Sequence, residues 1–319
     1  MTTTTSVPTF SRARLVSLVA IVSVTVVAGI LEILGLGGSQ QWQVWLAVVA
    51  LAIGIPHGAL DHLVTVPTME KGKMALFITG YVALAAAVTV AILQWPLWGF
   101  IGVVVMSAVH FGMGDASFLR QLAPRGEKTF PWWLYAIPAG AVPVVIPLTG
   151  AGSEDALGLV NLELIGWHFG LDEELFWASV IAAVVAIIWL LGSKQGGAAL
   201  DLTALLGLVL VAPPLVAFAA YFGLWHAFRH TARLTLEFPK ATLAVKAGQW
   251  IRAMWVVTTP GLPALVGTMA IAGVITWFTD WQLVDYFFVA LAIVWALTVP
   301  HMALTWNLDR KALGIPART

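Results

Sequence analysis

The sequence of 319 residues contains no cysteine. This absence excludes disulfides, iron–sulfur clusters, thiolate-ligated haem and thiol nucleophiles, so any metal must be held by nitrogen and oxygen ligands. Charged residues are also scarce: they make up 10% of the chain, and 60% of the residues are hydrophobic, whereas about 25% of a soluble domain is charged. The 16 basic residues balance 16 acidic ones, which leaves no net positive field to attract nucleic acid. The composition therefore predicts a protein of the lipid bilayer with no nucleic-acid partner.

Long apolar segments predict an all-α fold, a polytopic transmembrane helix bundle that forms one catalytic domain over residues 1–319. We expect about ten spans, at 15–34, 42–66, 74–94, 97–119, 132–149, 175–192, 199–212, 214–236, 261–278 and 283–304. Pro213 and Pro214 must break a helix, so we place a turn there. A single kinked span at this point would reduce the count to nine, and eight is a further alternative. Residues 1–14 are expected to be flexible, and residues 305–319 to form a tail.

The distribution of charge predicts the orientation of the bundle. If the N-terminus is cytoplasmic, the outer connections carry no Lys or Arg, and the longest of them, 150–174, carries six acidic residues. This asymmetry is typical of the positive-inside rule and favours an even number of spans with both termini in the cytoplasm. The expected location is the cell (inner or plasma) membrane, crossed several times. Basic residues are spaced among apolar and aromatic ones over 240–257, which predicts an amphipathic helix lying on the inner leaflet.

Six of the seven histidines lie in four apolar segments. His226 and His230 are four positions apart, so on a helix they share one face, and this spacing is typical of metal-ligand pairs. His57 and His110 lie at a comparable depth in other predicted spans and could complete a four-histidine set. A lone buried histidine is more often structural, but ionisable groups inside a membrane are usually functional. We therefore predict a metal site formed by these four side chains.

Four other polar residues are candidates for supporting roles. Asp61, one helical turn from His57, and Asp115 could accept hydrogen bonds from ligand imidazoles; Asp61 is also placed among the catalytic residues. His301 could be a fifth ligand, or it could contact the ligand imidazoles without binding the metal itself. His62 lies about 140° around a helix from His57, so a hydrogen-bonding role is favoured over shared ligation.

Ligand type and surroundings narrow the chemistry. Imidazoles suit Zn, Cu, Fe and Ni, and four of them exceed the three that hydrolytic zinc uses with its water. An Fe(II) centre with an open position could bind O₂. No nucleotide-binding loop or flavin motif is present, so a dioxygenase, which needs no external reductant, is preferred. Its substrate should be apolar, because the candidate lining residues are aromatic: Phe111, Tyr221, Phe222, Trp225 and Phe228.

At these residues the chain resembles the Brp/Blh family of bacterial and archaeal membrane β-carotene 15,15′-dioxygenases. The resemblance covers nearly the whole chain in length, span count and motif order. It is carried by four blocks: Pro56-His57-Gly58-Ala59-Leu60-Asp61-His62, His110-Phe111-Gly112, His226-Ala227-Phe228-Arg229-His230 and Pro300-His301.

The resemblance implies cleavage of the central double bond of β-carotene by O₂ into two molecules of retinal, which would then serve a microbial rhodopsin. It also implies that His57, His110, His226 and His230 bind Fe²⁺. Two alternatives stay open. One is a di-iron membrane desaturase or hydroxylase acting on a lipid, although such enzymes generally need more histidines. The other is a carrier that binds haem or metal without catalysis.

Overall fold

The computed structural model describes residues 7–37, 40–58, 60, 70–123, 130–158, 160–278 and 283–316. Throughout these ranges the chain forms helices and turns, with no β-strand. The all-α prediction is therefore confirmed for the part of the chain that is described.

Fourteen α-helices follow one another along the described ranges. They are α1 (Val7–Ile33), α2 (Gln40–Gly58), α3 (Lys71–Gln94), α4 (Pro96–Leu122), α5 (Trp132–Thr149), α6 (Ser153–Gly158), α7 (Asp172–Gly192), α8 (Gly196–Val211), α9 (Pro214–Ala220), α10 (Phe228–Leu234), α11 (Pro239–Lys246), α12 (Trp250–Thr258), α13 (Leu262–Phe278) and α14 (Leu283–Leu313). A π-helical segment, Tyr221–Ala227, joins α9 to α10, and 3-10 turns occur at Leu162–Leu164 and Thr259–Gly261.

Six helices in the described ranges are long and apolar enough to cross a membrane. They are Pro8–Ile33, Gly72–Gln94, Pro96–Leu122, Trp132–Thr149, Asp172–Gly192 and Leu291–Leu313. Two shorter apolar helices, Trp45–Gly58 and Gly196–Val211, accompany them. Each of the ten predicted segments coincides with helix over most of its length, but the number that crosses a membrane stays a prediction.

The two ends of the bundle extend beyond the predicted spans. Helix α1 begins at Val7, inside the segment expected to be flexible, and Arg14 is fixed there because its guanidinium contacts Asp201 and the carbonyl of Gly197. Helix α14 continues to Leu313, past the predicted end at 304. Its last turns are held in the bundle because Asp309 is buried and paired with Arg233. Arg14 and Asp309, both assigned to the termini by hydropathy, are thus held in the bundle by ionic contacts.

Small residues set the closest helix contact at α4 and α5. A Cβ atom on Gly112 would lie 2.0 Å from the Ala136 carbonyl oxygen, and one on Gly140 would lie 1.8 Å from that of Ala108. The backbones touch directly at this crossing, as small residues allow in membrane bundles. The contact fixes the position of the half of α4 that carries His110.

The region 240–257 is not the single amphipathic helix that was predicted. Helices α11 and α12 divide it, because the chain turns at Gly248, whose φ of +74° favours glycine. The apolar side chains of both helices pack in one small cluster with Leu60 and Leu234. This packing joins the two helices to the rest of the bundle.

Candidate metal centre

Five histidines from four parts of the chain meet inside the bundle. His57 lies at the end of α2, His110 in α4 and His301 in α14, whereas His226 lies in the π-helical segment and His230 in α10. All five side chains are buried. The structure thus brings together the four histidines predicted to share a site, and His301 lies within the same cluster.

The rings of this cluster are close neighbours. The shortest separation of ring centroids is 4.9 Å, between His110 and His226. His57 and His301 both take part in several contacts. The other centroid separations are 5.3 Å for His57–His230, 5.3 Å for His57–His301, 5.4 Å for His110–His301, 5.8 Å for His57–His226, 5.8 Å for His230–His301 and 6.1 Å for His226–His230.

These separations can be compared with those around a shared metal ion. With metal–nitrogen distances of about 2.1 Å, an imidazole centroid would lie about 3.2 Å from the ion. Two such centroids would be about 4.5 Å apart at a right angle and about 6.4 Å apart in opposite positions. All seven measured separations fall between these limits. Within the described ranges, however, no three His, Asp or Glu side chains already have their donor atoms gathered around one metal position. The rings have the spacing of a ligand set, and they would have to turn to direct their nitrogens to one point.

Hydrogen bonds hold two of the rings through their Nδ1 atoms. His57 Nδ1 bonds to the carbonyl oxygen of Gly54, one turn back along α2. His110 Nδ1 lies 3.3 Å from Thr305 Oγ1 of α14. When Nδ1 carries the proton of such a bond, Nε2 keeps a lone pair for a metal. His226 Nε2 is buried and has no hydrogen-bond partner among the residues that the structure describes, which is costly for a polar atom unless something binds it.

Aromatic side chains line one side of the histidine cluster. Phe111 lies 4.5 Å from the His226 ring and 5.2 Å from the Tyr221 ring, both measured between centroids. The Phe222 ring lies 6.0 Å from that of His57 and stacks on Phe218 at 6.4 Å with an interplanar angle of 5°. Phe218 was not among the predicted lining residues, although its i,i+4 spacing from Phe222 could have indicated it. Together these rings form an apolar wall beside the cluster.

Trp225 is held in a polar network of its own. Its indole N–H donates to Asp115 Oδ2 at 3.0 Å, and the Arg229 guanidinium covers its ring at 3.3 Å. Tyr221 donates to the same carboxylate oxygen at 3.2 Å. Asp115, expected to orient a ligand imidazole, therefore contacts the aromatic donors next to His226. Phe228 is half-buried and packs against the hydrophobic core.

A buried ionic network anchors α10, the helix that carries His230. Arg229 donates to Asp201 Oδ2 of α8 at 2.9 Å and to Ser17 Oγ of α1 at 2.8 Å. Arg14 donates to the other oxygen of Asp201 at 2.9 Å. The expectation that Arg229 is paired agrees with these contacts. Asp201 was missed, although a single carboxylate in an apolar helix is a signal for a buried partner.

Two predicted residues, Asp61 and His62, lie outside the described residues. Their roles as hydrogen-bond partners near the cluster therefore stay predictions. The seventh histidine, His168, is separate from the cluster: its Nδ1 lies 3.5 Å from Asp172 and near the amide of Gly170.

The fold and the site together define a class: an all-helical protein with several helices able to span a membrane and a buried cluster of histidines beside an aromatic wall. A family model described as "Beta-carotene 15,15'-dioxygenase" matches residues 48–309. The chain belongs to this family, whose members are oxidoreductases by name. The matched range includes all five clustered histidines.

Two curated relatives are similar to the chain. The "Beta-carotene 15,15'-dioxygenase" of an uncultured marine bacterium 66A03 is 29% identical over 194 residues, which cover 58% of this chain and 67% of the relative. The "Probable beta-carotene 15,15'-dioxygenase Blh" of Halobacterium salinarum (strain ATCC 700922 / JCM 11081 / NRC-1) is 24% identical over 295 residues, covering 83% of this chain and 84% of the relative. No solved structure matches the chain.

Proposed function

We propose that this protein is an integral-membrane, non-haem Fe(II) dioxygenase that cleaves β-carotene at its 15,15′ double bond into two molecules of retinal. The observation that carries the proposal is the cluster of five buried imidazoles, in which His226 Nε2 meets no hydrogen-bond partner within the described part of the chain. The family match and the names of the relatives support the substrate and the bond that is cleaved. His57, His110, His226 and His230 would hold the iron, and His301 is positioned to join them.

The reaction balances without any further cofactor. One carbon–carbon double bond breaks and two carbonyl bonds form, so each retinal receives one atom of O₂ and no external reductant is consumed. When bound, Fe(II) would supply the redox chemistry that O₂ needs to react with an alkene. This requirement fits a ligand set made only of nitrogen donors, because imidazole is a good ligand for iron.

The protein's own residues would position the metal and the polyene. The hydrogen bond from His57 Nδ1–H to Gly54 fixes that ring and leaves Nε2 for the metal. Phe111 and Phe222 border the cluster with apolar ring surface, which would contact a conjugated hydrocarbon and exclude water. Asp115 keeps Tyr221 and Trp225 in place rather than contacting the substrate.

The bilayer is part of this proposal. The six long apolar helices would place the cluster within the membrane, where a hydrocarbon substrate is already dissolved. With both termini in the cytoplasm, the histidines would lie in the cytoplasmic half of an inner or plasma membrane. Retinal released there could be delivered to a microbial rhodopsin in the same bilayer.

The test is expression in a host that accumulates β-carotene, with retinal and longer apocarotenals separated by chromatography. We expect retinal as the main product and one iron per purified chain. The single variants His226→Ala and His230→Ala should abolish retinal formation and lower bound iron while expression is retained. His168→Ala is the matched control, because His168 lies outside the cluster, and it should keep both activity and iron.

Three outcomes would contradict the proposal. Wild-type activity in His226→Ala or His230→Ala would remove these residues from the site. Apocarotenals without retinal would contradict central cleavage. Two irons per chain with dependence on an electron donor would indicate a desaturase or hydroxylase instead.

A further inference from the structure

Helix α14 presents three polar side chains on one face at intervals of four residues. His301, Thr305 and Asp309 are all buried, and residues i, i+4 and i+8 of a helix lie above one another. His301 belongs to the histidine cluster, and its ring centroid lies 5.4 Å from that of His110. Asp309 Oδ1 accepts a hydrogen bond of 2.6 Å from Arg233, which follows His230 on α10. This face of α14 therefore contacts both the cluster and a helix that carries a candidate ligand.

Thr305 is the middle residue of this face and contacts His110. Its Oγ1 atom lies 3.3 Å from His110 Nδ1 and 3.2 Å from each of two backbone carbonyl oxygens, those of His301 and Met302. A hydroxyl has one proton to donate but can accept through two lone pairs. The carbonyl oxygens can only accept, so when the hydroxyl donates to one of them its lone pairs are left for His110 Nδ1. In that arrangement the imidazole carries its proton on Nδ1 and donates to Thr305 Oγ1.

We infer that Thr305 is a positioning residue that holds the proton of His110 on Nδ1 and so keeps the lone pair of this imidazole on Nε2, where a metal at the histidine cluster could bind it. The inference rests on the proposed function, which assigns a metal to that centre. It adds a residue from a different helix to the site, because His110 belongs to α4 and Thr305 to α14. The ion pair of Asp309 with Arg233 keeps α14 at the depth that this contact requires.

Three variants separate this role from a general contribution to packing. Thr305→Val removes the hydroxyl and keeps the shape, whereas Thr305→Ser keeps the hydroxyl. Thr298→Val is the matched control on the same helix, because the Thr298 hydroxyl donates to the carbonyl of Trp295 at 2.6 Å, a backbone bond of the kind that Thr305 also makes. All three are made in the full chain, purified in detergent, depleted of metal with a chelator and titrated with Co²⁺.

We expect Thr305→Val to bind Co²⁺ about 10-fold more weakly than wild type, since loss of an outer partner of a ligand histidine typically costs 10–100-fold in metal affinity. Its visible Co²⁺ absorption spectrum should also shift, because the ligand field changes when the His110 ring turns. Thr305→Ser should restore both affinity and spectrum, and Thr298→Val should leave both unchanged. In a His110→Ala background, Thr305→Val should cause no further loss of affinity.

Wild-type affinity and spectrum in Thr305→Val would overturn the inference while leaving the proposed function intact. A further loss in the His110→Ala background would also overturn it, because Thr305 would then act through another residue. If Thr305→Val does not fold, Thr305→Ala, which adds no bulk, is measured in its place against the same expectations. Failure of the wild-type protein to bind either Co²⁺ or iron would overturn the inference together with the proposed function.

Discussion

The contact between α4 and α5 predicts a large effect for one added methyl group. In Gly112→Ala the new Cβ would start 2.0 Å from the Ala136 carbonyl oxygen. A Cβ atom essentially never lies closer than 3.0 Å to such a neighbour, so the two backbones must separate by about 1 Å. The obstacle is backbone on both sides, so a change of rotamer cannot relieve it. Overpacking of this kind costs about 1–3 kcal/mol, a considerable part of a total stability of about 5–15 kcal/mol.

The same displacement would reach the histidine cluster. His110 lies two residues before Gly112 on α4, so it moves with the helix. A misplacement of about 1 Å at a reacting site can cost about 100-fold in rate. For Gly112→Ala we therefore expect a lower unfolding temperature, less bound iron and retinal formation reduced about 100-fold, measured by thermal unfolding in detergent, metal analysis and chromatography.

Gly102→Ala is the matched control for this prediction, because Gly102 lies on the same helix and a Cβ there meets no described atom within 4 Å. This variant should be neutral, or more stable by about 0.5–1 kcal/mol, since alanine lowers the entropy of the unfolded chain. If Gly112→Ala unfolds at the wild-type temperature and cleaves β-carotene at the wild-type rate, the close backbone contact does not position His110.

Two further predictions concern the surroundings of the site. Asp201→Ala should destabilise the protein by about 3–5 kcal/mol in thermal unfolding, because it leaves the buried Arg229 without its charge partner. The control Glu70→Ala breaks an exposed ion pair and should leave the unfolding temperature nearly unchanged. Equal effects of the two substitutions would refute the argument. Phe222→Ala should keep bound iron but lower retinal formation and increase other apocarotenals, since the ring borders His57. Unchanged products would show that Phe222 does not contact the substrate.

Features that depend on local chemistry could be predicted from the sequence. The length of each apolar segment indicated a helix. The proline pair at the start of α9 indicated a turn, which the structure has between α8 and α9. The i,i+4 spacing placed His226 and His230 on one face, and their rings are stacked with an interplanar angle of 21°. These properties follow from hydrophobic length, ring geometry and helical periodicity.

Partnerships across the bundle could not be predicted in the same way. Asp201 pairs with Arg229, and Thr305 contacts His110 although 195 positions separate them. A charged residue in an apolar helix indicates that some partner exists, but several candidates satisfy that requirement equally. The choice among them depends on the order in which the helices pack, which one sequence does not specify.

The π-helical segment shows how packing, rather than local preference, brings two of the histidines together. π-helices are rare and often mark functional sites, and no pattern in Tyr221–Ala227 predicted one. Within this segment a Cβ on Gly223 would lie 2.7 Å from the Cα atom of Ala50, so only glycine permits so close an approach to α2. One turn along α2, a Cβ on Gly54 would strike the Phe222 ring at 2.1 Å. Because glycines on both helices allow this contact, the His57 ring at the end of α2 comes within 5.8 Å of the His226 ring.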